Sequence, residues 1–313
     1  MSTKRKTCHL VPSRWVGMVV AVLLVLGLMG GAVSANGGPH TGTTAANGEC
    51  RWCHRTNSAL GRESLAAQNP TTLCLSCHGT GLGANTNVVD GVYLSSRDDA
   101  AGDANLGAAN TPDGAPLLGG GFVTYLGKPV TSRHDVTGSP TAAWGNGGIR
   151  GERSPLAAPL TCISCHDPHG SANYRLLREF INGRPVRVEA VDEGEAKDYD
   201  TEQWGAGTDS LCLACHEAYN TAAPGAGSDP SLVASGGYAH RVGMPYHYDN
   251  NANPETEGFN GYRLPLAESG HGDRVVCMTC HLPHGTAAQR SDGGDSRLLR
   301  LDNDAVCQVC HQL

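Results

Sequence analysis

The residues best equipped for chemistry are twelve cysteines and six histidines that recur as one pentapeptide, Cys-x-x-Cys-His. The copies begin at Cys50, Cys74, Cys162, Cys212, Cys277 and Cys307, and end at His54, His78, His166, His216, His281 and His311. Two thiols one helical turn apart can both form thioethers to the vinyl groups of one porphyrin, and the adjacent histidine then reaches the iron as its proximal ligand. Paired cysteines also make zinc sites and disulfides. Neither of these requires a histidine at a fixed offset after every pair. The pattern therefore predicts six covalently bound haem c groups. The thioether positions are Cys50, Cys53, Cys74, Cys77, Cys162, Cys165, Cys212, Cys215, Cys277, Cys280, Cys307 and Cys310.

Each iron has a second axial position. Outside the pentapeptides and His9, the chain holds His40, His134, His169, His240, His247, His271 and His284, one more than six irons need. Methionine is the other common axial ligand. Beyond the first thirty or so residues only Met244 and Met278 occur, and Met278 lies between two haem-linking cysteines. All-histidine ligation is expected. His169 and His284 each follow a proline and precede a glycine, which fixes a turn and permits close approach. Each lies three residues after a proximal histidine, too near to cross its own haem plane, so each is expected on a neighbouring iron. His40, His134 and His271 each precede the leading attachment site of a pair. His240 is preferred for the remaining place and His247 is the spare or alternative.

The elements that carry these residues are expected to be slight. The sequence has 42 glycines, three phenylalanines and 5% aromatic residues, which leaves the porphyrins to supply much of the buried apolar surface. The expected fold is mostly irregular coil with short helices at the attachment sites and a few short β-hairpins, a haem-cored architecture. Asn182-Gly183, between Phe180-Ile181 and the alternating Val186 and Val188, predicts a hairpin, and Asp90-Gly91 predicts a tight turn. Leu60 to Gln68 is expected as a further helix, stopped by Asn69-Pro70. Residues 189–202 are acidic and are read as a solvated loop.

Residues 1–35 read as a secretion signal. Lys4, Arg5, Lys6 and Arg14 precede an uncharged apolar run, and Val33-Ser34-Ala35 offers a cleavage site. An uncleaved membrane anchor is the alternative. Cleavage leaves a mature form with no membrane span. The formal net charge is −7, and loss of the basic leader makes the mature chain more acidic, against nucleic acid as a partner. Residues 36–313 are expected to form a single hexahaem body of diverged dihaem modules, about 36–80, 134–216 and 240–313. Cys162 to Ala172 parallels Cys277 to Ala287, and each is followed by Arg-Leu-Leu-Arg, at Arg175 to Arg178 and Arg297 to Arg300. In the first module Asn57 stands where His169 and His284 stand.

Cys162 to Gly170 and Cys277 to Gly285 resemble the multihaem c-type cytochromes with doubled CxxCH motifs, a family rich in CxxCHxPHG. Pro39-His40, Asn87 to Gly91 and Ser132 to Val136 are further similar to extracellular filament-forming cytochromes. The resemblance implies low-potential bis-histidine haems in a continuous stack of parallel and T-shaped pairs. It also implies a homopolymer in which His40 is donated to a haem of the neighbouring subunit. The function expected is electron transfer, outside the cell or at its surface (or in a periplasm), with other redox proteins and extracellular acceptors as partners and no catalytic residues. A multihaem reductase of a nitrogen or sulfur compound is the rival; it needs an open iron, and no Cys-x-x-Cys-Lys occurs.

Overall fold

The computed structural model of the chain describes residues 40, 50–79, 84, 86–94, 116–140, 142–144, 153–155, 159–188, 207–216, 242–247, 253–267, 272–289, 296–303 and 305–311. The chain divides into two units, Met1–Ser34 and Ala35–Leu313, and all described residues lie in the second. The leader, residues 189–202, His240 and His271 lie outside the described residues.

Short helices carry the attachment sites: α1 (Cys50–Cys53), α2 (Pro70–His78), α3 (Cys162–Cys165), α4 (Thr208–Leu213), α5 (Cys277–Cys280) and α6 (Ala305–Gln308). The third residue of the pentapeptide helps to close two of them. Thr161 N–H donates to Ser164 Oγ, and Val276 N–H donates to Thr279 Oγ1, both at 3.0 Å, so a hydroxyl inside the motif satisfies the backbone just ahead of it. After each of these turns the backbone is extended at the motif histidine, with φ −110° at His166 and −119° at His281.

The helix expected over Leu60 to Gln68 is not formed. Only Arg62–Ser64 makes a 3₁₀ turn, and Glu63 and Ser64 have φ of 58° and 60°. Asn69-Pro70 starts a helix instead of stopping one. The Asn69 side chain accepts from Thr72 N–H at 2.9 Å and Pro70 fills the first helical position of α2, where a missing N–H costs nothing.

The strands are two or three residues long, and every sheet among the described residues has two of them. Strand β1 (Thr86–Asn87) pairs with β2 (Val92–Tyr93), and β3 (Thr124–Tyr125) with β4 (Lys128–Pro129). Strand β5 (Ser132–Arg133) is reserved for a distant partner. Strand β6 (Ala142–Trp144) pairs with β7 (Arg153–Pro155), and β8 (Phe180–Ile181) with β9 (Arg184–Pro185). The last ribbon joins β10 (Met244–Pro245) to β11 (Arg274–Val275). In the β8–β9 hairpin Asn182 and Gly183 both take positive φ, 51° and 75°, the twist that two-residue turns require. The partner of β5 is β12 (Gly285–Thr286), joining the segment before the third attachment site to the one after the fifth.

Apolar side chains gather in small clusters instead of one core. Leu177, Val186, Val188 and Ala214 form one, Tyr125, Leu282 and Ala287 a second, and Leu264, Val306 and Val309 a third. Each borders an attachment helix. The architecture is largely irregular, with few short helices and antiparallel strand pairs, as composition predicts.

Candidate functional site

Three of the motif histidines are held by the same device. In each, two consecutive residues take the left-handed conformation: Glu63 and Ser64, Arg175 and Leu176, Arg297 and Leu298, with φ between 53° and 62°. Non-glycine residues rarely adopt it, and pairs less often still. The turn aims the carbonyl of its first residue at an imidazole. His54 Nδ1–H donates to Glu63 O at 3.1 Å, His166 Nδ1–H to Arg175 O at 2.9 Å, and His281 Nδ1–H to Arg297 O at 2.9 Å. With the proton fixed on Nδ1, Nε2 carries the lone pair that a metal requires. The next residue then bridges back to the histidine: Leu65 to His54, Leu177 to His166 and Leu299 to His281. A basic side chain seals two copies. Arg178 Nη1 donates to Ile163 O at 3.1 Å, and Arg300 Nε donates to Met278 O at 2.8 Å. Burial lowers the Arg300 pKa to about 10, so it remains charged at neutral pH.

The sequence exposes only two of these copies, through Arg-Leu-Leu-Arg. The third, at Glu63-Ser64-Leu65, shares only the leucine, because the conformation is imposed on the backbone and needs no particular side chain at its first two positions. Leu65, as far from His54 as Leu177 is from His166, is the one signal available.

Four motif histidines each stand opposite a histidine from elsewhere in the chain. The ring centres are 6.0 Å apart for His54 and His169, 6.0 Å for His78 and His40, 6.4 Å for His166 and His284, and 6.1 Å for His216 and His134. A metal–nitrogen bond of about 2 Å on each side, with about 1.1 Å from ring nitrogen to ring centre, separates two imidazoles by roughly 6.2 Å across one metal ion. The residues present therefore fit an axially bound iron at four positions. Burial lowers His166 to about 4 and His284 to about 3, which keeps both rings neutral at neutral pH. His40 lies against His78 of its own chain. His247 is exposed, just beyond β10.

Non-local pairing sets two of these opposing rings. Gly285 pairs with Arg133 and Thr286 with Ser132, so β5 and β12 place His134 beside Pro283-His284. His134 Nδ1–H donates to Pro283 O. The contact admits only glycine at 285: an added Cβ would stand 2.4 Å from Gly121 O and 2.9 Å from Arg133 Cβ. Gly119 is also tight, since a Cβ there would lie 2.9 Å from His284 Nδ1. Phe122 stacks on His284 with ring centres 4.8 Å apart.

The attachment sites follow one another through the structure in sequence order. Burial, then the neighbouring thiols of Cys77 and Cys50, push the Cys53 thiol up. The Cys74 and Cys162 thiols neighbour one another, as do those of Cys212 and Cys277; each neighbour raises the pKa of one partner, Cys74 and Cys277. Burial and then the thiols of Cys215 and Cys212 raise Cys165 to about 12, and burial and then Cys310 raise Cys280 to about 12. Helix α2 packs on α3, and α4 on α5. No disulfide joins any of these twelve cysteines, and among the described residues no three or more His, Cys, Asp or Glu side chains converge as a metal cage.

The model of a family described as the doubled CXXCH motif matches residues 43–82 and 154–184. These segments hold the first three attachment sites, together with two of the three left-handed turns. The match indicates covalently bound c-type haem and a multihaem c-type cytochrome. Neither the curated proteins nor the solved structures compared with the chain give a match.

Proposed function

We propose that the chain is a hexahaem electron carrier, exported across the cytoplasmic membrane, in which every iron is closed by two histidines. Bound haem c supplies an iron that cycles between two oxidation states and exchanges electrons with neighbouring irons. The protein fixes the order of the sites, the axial nitrogens and the access of solvent. The observation that carries this reading is the set of four histidine pairs at 6.0 to 6.4 Å, each with one member in a Cys-x-x-Cys-His motif.

The repeat extends the assignment to the other two irons. In the first two modules the histidine ahead of the leading site faces the plain motif histidine: His40 faces His78, and His134 faces His216. The third module gives His271 to His311 on the same rule. His240 then serves His281, with His247 its alternative. The Pro-His-Gly histidines serve the preceding module, His169 toward His54 and His284 toward His166. Asn57 stands at that position in the first module.

Partners in this reading are other redox proteins and extracellular acceptors. A homopolymer that donates His40 to a neighbouring subunit must first open the His40–His78 pair, whereas a self-contained carrier needs no exchange. Electron micrographs of secreted protein separate the two, and a His40→Ala variant that forms filaments with six-coordinate irons excludes donation. The main test is native protein from a host competent in cytochrome maturation. Six haem masses on the processed chain and no rapid binding of carbon monoxide are expected. A colourless product overturns the reading, and stoichiometric carbon monoxide at one iron favours a reductase.

A further inference from the structure

Two junctions between modules are built alike, and they differ in one residue. At the first, Thr71 in α2 lies three residues before Cys74, and its Oγ1 accepts from Cys162 N–H at 3.4 Å at the start of α3. At the second, Asp209 in α4 lies three residues before Cys212, and its Oδ1 accepts from Cys277 N–H at 2.7 Å at the start of α5. Both residues are buried, Thr71 at 6% and Asp209 at 8% exposure. Both sit where the thiols of two attachment sites touch, Cys74 with Cys162 and Cys212 with Cys277. The same position thus holds a neutral hydroxyl at one junction and a carboxyl group at the other.

We propose that Asp209 is a proton-binding site linked to reduction of the haem pair attached through Cys212 and Cys277, a coupling that the Thr71 junction lacks. The inference rests on the haem-carrier reading. An oxidised bis-histidine haem carries a net positive charge at its centre that is lost on reduction, so a buried carboxylate beside it is favoured in the oxidised state. One electron enters the pair from a donor, one proton from solvent binds a carboxylate oxygen of Asp209, and no bond between heavy atoms changes. Reoxidation releases both. Oδ1 is engaged by Cys277 N–H, and Oδ2 lies toward Gly243, where an added Cβ would be 3.4 Å away, so Oδ2 is the oxygen that takes the proton.

The charged and titratable groups on the elements packed around Asp209 are few among the described residues. Arg274 donates through Nη1 to Gly243 O at 2.7 Å, and Arg187 contributes its backbone carbonyl against Gly207. The thiols of Cys212 and Cys277 cease to titrate once they become thioethers. Burial already raises the Asp209 pKa, and the bond from Cys277 opposes it, so the group is poised closer to neutrality than an ordinary aspartate.

The sign follows. Lower pH favours reduction, and potential falls as pH rises between the two pKa values that Asp209 has beside the oxidised and reduced pair. One proton per electron changes the reduction equilibrium by at most about tenfold per pH unit. The test compares the haem-loaded parent with Asp209→Thr, which copies the arrangement at Thr71, and with Thr71→Asp. Dithionite titrations are followed optically at several pH values, with proton uptake measured in weakly buffered solution. Asp209→Thr is expected to flatten the pH dependence of one junction haem and to lower uptake by up to one proton per chain. Thr71→Asp is expected to add such a dependence. If Asp209→Thr does not load its haems, Asp209→Asn keeps the acceptor oxygen and replaces it. Unchanged uptake and slopes in a fully haem-loaded Asp209 variant overturn this inference and leave the carrier reading standing; absence of haem from the parent overturns the carrier reading itself.

Discussion

Adding one methyl group at Gly285 should loosen two ligand pairs at once. Gly285 lies in β12, with Gly121 O at 2.4 Å, Arg133 Cβ at 2.9 Å and Val130 Cγ1 at 3.0 Å from the position its Cβ would take. Ordinary carbon contacts are about 3.5–4.0 Å, so the strand must withdraw by more than about half an ångström from the Gly121 backbone and from the stems of the Arg133 and Val130 side chains. Overpacking of this kind costs about 1–3 kcal/mol. Withdrawal also weakens the bond from Gly121 N–H to Gly285 O and the pairing with β5, at about 1 kcal/mol each. Gly285→Ala is therefore expected to lose about 3–5 kcal/mol. Gly127→Ala is the control: its added Cβ has nothing within 4 Å and its φ is 72°, so only the left-handed conformation is penalised, by about 1 kcal/mol. Denaturant unfolding of haem-loaded protein, followed at the Soret band, measures both. Because β12 and β5 end beside His284 and His134, Gly285→Ala should also admit carbon monoxide at the irons of His166 and His216. A Gly285→Ala protein no less stable than Gly127→Ala refutes the reasoning.

Other substitutions probe separate links. His169→Ala should open one iron, that of His54, and bind about one carbon monoxide per chain on reduction, counted by optical titration. Glu63→Gly should keep the carbonyl that His54 uses while removing the left-handed penalty, leaving stability unchanged or raised by about 1 kcal/mol in denaturant melts. Arg300→Met should cost about 2–4 kcal/mol, because Met278 O and Leu118 O both lose their donor beneath the fifth site. Asn69→Ala should cost about 1 kcal/mol through loss of the α2 cap.

The sequence made the attachment chemistry legible because covalent geometry leaves no freedom: the spacing of the two cysteines and the histidine is the signal. It also exposed the β8–β9 hairpin, where Asn182-Gly183 supplies both positive-φ residues. The helix read over Leu60 to Gln68 failed for a physical reason. Apolar spacing there looks helical, yet the backbone is committed to delivering the Glu63 carbonyl to His54, and Asn69-Pro70 is equally good chemistry for a beginning. The four rings that face motif histidines were legible as candidates but not as pairs. Which ring meets which depends on contacts such as Thr131 with Thr286, 155 residues apart, and local pattern carries no record of them. The paired roles of Thr71 and Asp209 were hidden for the same reason, since a hydroxyl and a carboxylate look unrelated until both are seen accepting the same N–H.

The backward reach of the Pro-His-Gly histidines has a consequence for how the chain can be divided. The first two leading sites each face a ring from the module that follows, so the modules overlap as roof tiles do. A chain severed after His216 would keep His134 and His169 and forfeit His284, leaving His166 without its opposing ring. Neither boundary between modules is therefore a clean place to cut, and a nascent chain emerging from its amino end must wait for its later segments before its earlier motif histidines are faced.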